Sequence, residues 1–116
     1  MPPRSDKLSV IRGTLDVLVL QAVSARALHG FEISLWLDEH ADQPLHIDDS
    51  ALYQALHRLE ARGYLKGDWG VSDNNRRARY YGLTAAGRAH LAQERTRLVS
   101  YAATITALLA PPRLTR

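Results

Sequence analysis

Ser50-Ala-Leu-Tyr-Gln-Ala-Leu-His-Arg-Leu-Glu-Ala-Arg-Gly63 runs directly into Tyr64-Leu-Lys-Gly-Asp-Trp-Gly-Val71, then through Ser72-Asp-Asn-Asn75 into Arg76-Arg-Ala-Arg-Tyr-Tyr-Gly-Leu-Thr84. The first block spaces Leu52, Ala55, Leu56 and Leu59 at i, i+3, i+4 and i+7, a helix with one buried stripe. Asp48 or Asp49 can cap its start, and Gly63 can end it in the left-handed conformation. Leu65, Trp69 and Val71 share one parity of an extended segment. Asp73-Asn-Asn75 has turn composition, because Asn and Asp tolerate positive φ and bond locally. A second extended segment returns from Arg77 to Leu83, with Tyr81 and Leu83 on one face. A helix followed by a basic two-stranded ribbon suits double-stranded DNA: the helix can enter the major groove while the ribbon reaches along the backbone.

The flanking sequence reads as scaffolding. Residues 1–9 are polar and proline-bearing, a flexible arm. From Gly13 the residues Leu15, Leu18, Val19, Ala22 and Val23 trace a first helix. A break at Ala25–Gly30 leads to a second helix over Phe31–His40, with Ile33, Trp36 and Leu37 inward. Residues 41–48 contain Pro44 and read as a loop. Thr84 caps a last helix running to Leu109, where Pro111-Pro112 forbids continuation. The expected fold is mainly α with a small β-hairpin: a winged helix-turn-helix over residues 10–83, a long dimerisation helix over 84–110, and a tail over 111–116.

Composition narrows the function. The chain has 116 residues, 46% of them hydrophobic and 23% charged, which fits one globular domain. The longest apolar run, Leu15 to Ala25, is interrupted by Asp16 and Gln21 and is too short to span a bilayer. The first seven residues lack the apolar core of a signal peptide, and there are no cysteines; both fit a cytoplasmic protein. The net charge is +3, but its distribution says more. Residues 1–49 hold four Lys/Arg against eight Asp/Glu, and residues 50–97 hold nine against four. The basic charge sits on the helix–ribbon half, where a polyanion would need it.

With the leucines turned inward, Ser50, Tyr53, Gln54, His57 and Arg58 fall on the outer face of the third helix. Gln can bond an adenine edge in bidentate fashion, while Ser, Tyr and Arg can hold phosphates. Any amphipathic helix has a polar outer face, so the ribbon decides. Arg76, Arg77 and Arg79 crowd one hairpin tip, where they repel one another and the fold gains little from them. The eight residues together form the candidate DNA-binding set.

Catalysis and metal binding have no motif here. None of the five histidines has a histidine at i+3 or i+4, and there is no HExxH or Cys/His set. Ser50 lies two turns from His57, too far for direct proton transfer, and no nucleophile elbow surrounds it. The expectation is a chain with no catalytic residue, no metal and no cofactor.

In the last helix Leu91, Leu98 and Ile105 fall seven residues apart, with Tyr101 and Leu108 between and beyond them. This heptad-like seam is broken at Glu94. A helix of about 26 residues spans roughly 39 Å, more than a small winged domain can cover. Its distal stripe is therefore assigned to a second copy rather than to the chain's own core.

The chain resembles the PadR family of bacterial transcriptional regulators. The resemblance rests on Arg12-Gly-Thr-Leu-Asp16, Leu28-His-Gly-Phe-Glu-Ile33, the Ser50–Glu60 block, Gly63, and Arg77–Thr84 with Gly87. It covers about residues 10 to 108 and is similar to the compact, single C-terminal helix type. It implies a homodimeric repressor on an inverted-repeat operator. Ser50 and Tyr53 match the family's DNA-contacting positions, and Arg77 and Arg79 match its basic wing. Gln54 departs from the proline the family commonly carries there. The rival from another class is a winged-helix interaction module whose basic wing takes an acidic protein partner. A small-molecule effector of unknown identity is left open. Trp36, Trp69 and Tyr101 could line its cavity, although core packing is the simpler reading of each.

Overall fold

The computed structural model describes residues 8–11, 13–43 and 45–112. The elements run β1 (Leu8–Ser9), α1 (Leu15–Ala22), β2 (Leu28–His29), α2 (Gly30–His40), β3 (Leu45–His46), α3 (Asp49–Ala61), β4 (Leu65–Val71), β5 (Arg77–Leu83) and α4 (Ala85–Leu109). Four helices are thus joined by a small antiparallel sheet of order β2-β5-β4. The hairpin is three-stranded at its base, because Leu28 and His29 pair with Tyr81 and Tyr80. These two residues were expected in a break; a two-residue strand leaves no periodicity to read. The arm expected over residues 1–9 is shortened likewise, since Leu8–Ser9 pair in parallel with Leu45–His46. Residues 1–7 of that arm and 113–116 of the tail lie outside the described residues.

The core is built from the predicted stripes. Leu52, Ala55, Leu56 and Leu59 of α3 meet Val19, Leu20 and Val23 at α1, and Ile33 and Leu37 of α2. Leu20, Ile33 and Leu56 are wholly buried, and each contributes about 1.5–3 kcal/mol by leaving water. Trp36 is only half-buried and stacks on His40 at 4.0 Å.

Two ends of α3 set the geometry of everything after it. Asp48 occupies the N-cap position with extended backbone, but its carboxylate makes no capping bond and lies 3.4 Å from His46 Nε2. At the other end Gly63 takes φ +81°. Its N–H donates to the Glu60 carbonyl at 3.0 Å, and that of Tyr64 donates to the Leu59 carbonyl at 2.9 Å. This paired closure needs a left-handed residue at position 63, which glycine adopts at no steric cost.

The same turn anchors α4. The Thr84 hydroxyl accepts from Gly87 N–H at 2.9 Å and donates to the Gly63 carbonyl at 2.6 Å. Thr84 N–H donates to the Tyr64 carbonyl at 3.2 Å. Gly87 lies so close to that carbonyl that a Cβ would stand 2.0 Å from its oxygen. Tyr64 and His90 stack at 4.1 Å above the joint. Leu91 is 2% exposed and belongs to the protomer's own core, which removes the first member of the expected seam from the surface. Arg95 donates to Gln21 Oε1 at 2.6 and 3.2 Å. Further along, Leu98 and Ile105 are half-buried and Val99, Tyr101, Leu108 and Leu109 are exposed. The described chain measures 64 × 40 × 20 Å, elongated by this projecting helix.

Candidate nucleic-acid interface

The register of the hairpin sorts its residues by face. Leu65 opposes Leu83, Gly67 opposes Tyr81, Trp69 opposes Arg79 and Val71 opposes Arg77. Directly paired residues share a face, so this face changes character along its length. Near the core it presents Leu65 and Tyr81, both buried; beyond the core it presents Trp69 and Val71, which are 59% and 65% exposed. Core packing, the expectation for Trp69 and Tyr101, is therefore wrong for both: the strand and α4 each extend past the body of the domain.

At the tip, Ser72 N–H donates to the Arg76 carbonyl at 2.8 Å and Asn75 N–H to the Ser72 carbonyl at 2.9 Å. Asn75 supplies the positive φ of 64° that closes the turn. Arg76 and Arg77 emerge beside it, both exposed.

Between wing and helices lies an open groove of about 930 Å³. Its walls are Tyr53 and His57 from α3, Phe31 and Leu35 from α2, and Trp69, Arg76, Arg77 and Arg79 from the hairpin. Tyr53 approaches the start of α2 closely; a Cβ at Gly30 would sit 3.0 Å from its hydroxyl. His29 caps α2 in place of the usual Ser or Thr: its Nδ1 accepts from Glu32 N–H at 3.3 Å and its own N–H donates to Glu32 Oε1 at 3.1 Å. The ring also packs edge-on against Tyr80, centroids 5.2 Å apart.

The eight sequence-predicted residues divide. Tyr53, His57, Arg76, Arg77 and Arg79 line the groove together. Ser50 and Gln54 are exposed on the same helix, outside the groove's lining. Arg58 is turned toward α1, where it donates to both Asp16 oxygens at 2.7 and 3.4 Å. That bond raises the Arg58 guanidinium further above its ordinary pKa, against a small opposing effect of burial. Arg79 is ion-paired with Glu60 of α3, and the bond raises its pKa in the same way. Burial pushes the neighbouring Tyr81 phenol up, against the pull of the Arg79 guanidinium. Of the three wing arginines, Arg76 and Arg77 have no carboxylate partner among the described residues.

Sequence reasoning missed Phe31, Leu35 and Trp69. The signal for Trp69 was present in its strand parity: it opposes Arg79 and shares a face with Val71, which opposes Arg77. Among the described residues no group of His, Asp or Glu is arranged to hold a metal ion, and no helix is long and apolar enough to cross a membrane. A convex helix face and a cationic hairpin flanking one groove can engage a rod-like polyanion.

Known proteins share this architecture. A transcriptional regulator from Clostridium thermocellum superposes with a TM-score of 0.75 and 29% identity, over 93% of this chain and 99% of that one. A PadR family transcriptional regulator from Eggerthella lenta superposes at 0.70 with 26% identity, over 87% and 86% of the two chains. A transcriptional regulator of Mycobacterium tuberculosis is 33% identical over 87 residues, 75% of this chain and 78% of that protein. Residues 19–93 match the PadR-like transcriptional regulator family, a span that includes α2, α3, both hairpin strands and the start of α4. The chain belongs to the PadR-like family of transcriptional regulators.

Proposed function

We propose that the protein is a homodimeric, sequence-specific repressor of transcription that binds an inverted-repeat operator. The observation that carries this reading is the groove in which Tyr53 and His57 of the third helix face Arg76 and Arg77 of the wing. In this reading α3 enters the major groove, where Gln54 and His57 discriminate bases while Ser50 and Tyr53 hold the backbone. Arg76 and Arg77 attract phosphates or the minor groove edge. Arg58 and Arg79, each engaged by a carboxylate, set the attitude of helix and wing and add less direct contact.

The projecting part of α4 makes the dimer through Leu98, Tyr101, Ile105 and Leu108. An apolar stripe of this kind, half-buried at Leu98 and Ile105 and exposed at Tyr101 and Leu108, marks a partner surface, and dimerisation places two α3 helices for two half-sites. The protein acts in the cytoplasm, without catalysis, metal or cofactor.

Titration with a labelled random-sequence duplex, with polyglutamate as competitor, tests the class of partner. The reading expects salt-dependent duplex binding that polyglutamate of equal charge does not displace. Displacement at equal charge would favour an acidic protein as partner instead.

A further inference from the structure

We propose that Trp69 is a positioning residue for DNA binding: it is the shelf on which Arg77 is held ready for a phosphate. The inference rests on the DNA-binding reading above. Trp69 is 59% exposed, so the fold gains little from so large an apolar side chain at that position. Its ring face is nonetheless occupied: the Arg77 guanidinium carbon lies 4.6 Å from the ring centroid, and that of Arg79 lies 5.8 Å away.

The two arginines are held in chemically different ways. Arg79 is held by the Glu60 carboxylate through one terminal nitrogen, which compensates its charge and occupies one of its donors. Arg77 is held over the indole face and has no carboxylate partner among the described residues. A stacked guanidinium keeps all its N–H donors at its edge and keeps its charge. Stacking on an indole is thus a means of restraining an arginine without neutralising it. A free arginine must give up rotamer freedom when it binds a phosphate; one already stacked has given up much of it beforehand. Arg77 lines the groove with Tyr53 and His57, so it stands on the side on which α3 would meet the duplex.

The test measures binding of a fluorescein-labelled random-sequence duplex by anisotropy, at several salt concentrations. Trp69→Ala is expected to weaken binding about two- to fivefold, the size of an exposed cation–π contact. Trp69→Phe keeps a ring face and retains most of the affinity; Trp69→Leu keeps apolar bulk but no ring face and behaves like Trp69→Ala. Because Trp69 acts through Arg77, the Trp69→Ala, Arg77→Ala double variant binds no more weakly than Arg77→Ala alone. Helical circular dichroism and an unchanged melting midpoint accompany each variant. Unchanged binding by Trp69→Ala, full retention by Trp69→Leu, or additive losses in the double variant would each overturn the role of Trp69. In those cases duplex binding by the unsubstituted chain leaves the DNA-binding reading standing. Failure of the unsubstituted chain to bind any duplex overturns both.

Discussion

The guanidinium of Arg79 on β5 is ion-paired with the carboxylate of Glu60 on α3, nineteen residues earlier. The wing is therefore tied to the helix beside it, and one of its three positive charges is compensated. Glu60→Gln keeps a hydrogen-bond acceptor in place and removes the compensation. It should bind random-sequence duplex more tightly, with a log–log salt slope steeper by up to about 1. An unchanged slope in salt titrations would show that Arg79 does not sit within reach of the backbone.

Two leucines of one apparent seam should behave in opposite ways. Leu91 lies in the protomer's core, so Leu91→Ala should cost about 2–5 kcal/mol of unfolding free energy by chemical denaturation. Leu98 lies half-buried on the projecting part of α4, and Leu98→Arg would place a charge where a partner helix should pack. That variant should keep its helical signal and sediment as a monomer. A Leu98→Arg protein that sediments as a dimer would move the interface to another surface.

Gly87 tests the joint between α3 and α4. On propensity alone Gly87→Ala should stabilise a helix by about 1 kcal/mol. The Tyr64 carbonyl oxygen, 2.0 Å from the position of the new Cβ, requires the helix to move instead. The variant should lose about 1–3 kcal/mol in denaturant titrations. A raised midpoint would contradict the close approach.

Local backbone chemistry was legible in the sequence; long-range pairing was not. Gly63, Asn75 and Thr84 were readable because a left-handed turn and a helix cap each need particular residue types within a few positions. The α3 stripe was readable because burial on a helix has a period. Arg58 and Arg79 read as free cations because Asp16 is 42 residues from one and Glu60 nineteen from the other; no local pattern links them. The heptad spacing from Leu91 to Ile105 identified a stripe without saying where the domain stops covering it. Trp69 posed the same problem on a strand, since alternation assigns a face but not the distance that the strand runs past the core. His29 was not assigned to the start of α2 because its imidazole takes a role there that Ser and Thr usually fill.

Tyr81 gives the fold an alkaline limit. Burial raises its phenol pKa in the folded chain, so the neutral form is favoured on folding. The corresponding stability is complete below the unfolded tyrosine value of about 10 and is lost as pH rises through the higher folded value. Denaturation midpoints should fall from about pH 10 upward, and Tyr81→Phe should fall less steeply. Equal slopes for both proteins would show that the phenol does not ionise differently on unfolding.

The central claim is that α3 and the wing read duplex DNA as a symmetric pair. Selection from a random-sequence duplex pool tests it most directly. The account predicts enrichment of one motif in two inverted copies, their centres about one helical turn, roughly 34–36 Å, apart. The same selection with Gln54→Ala or His57→Ala should relax the preference at one position in each copy, for a loss of roughly 1–3 kcal/mol. A pool that remains unenriched, or one motif selected identically by both variants and the unsubstituted chain, would contradict it.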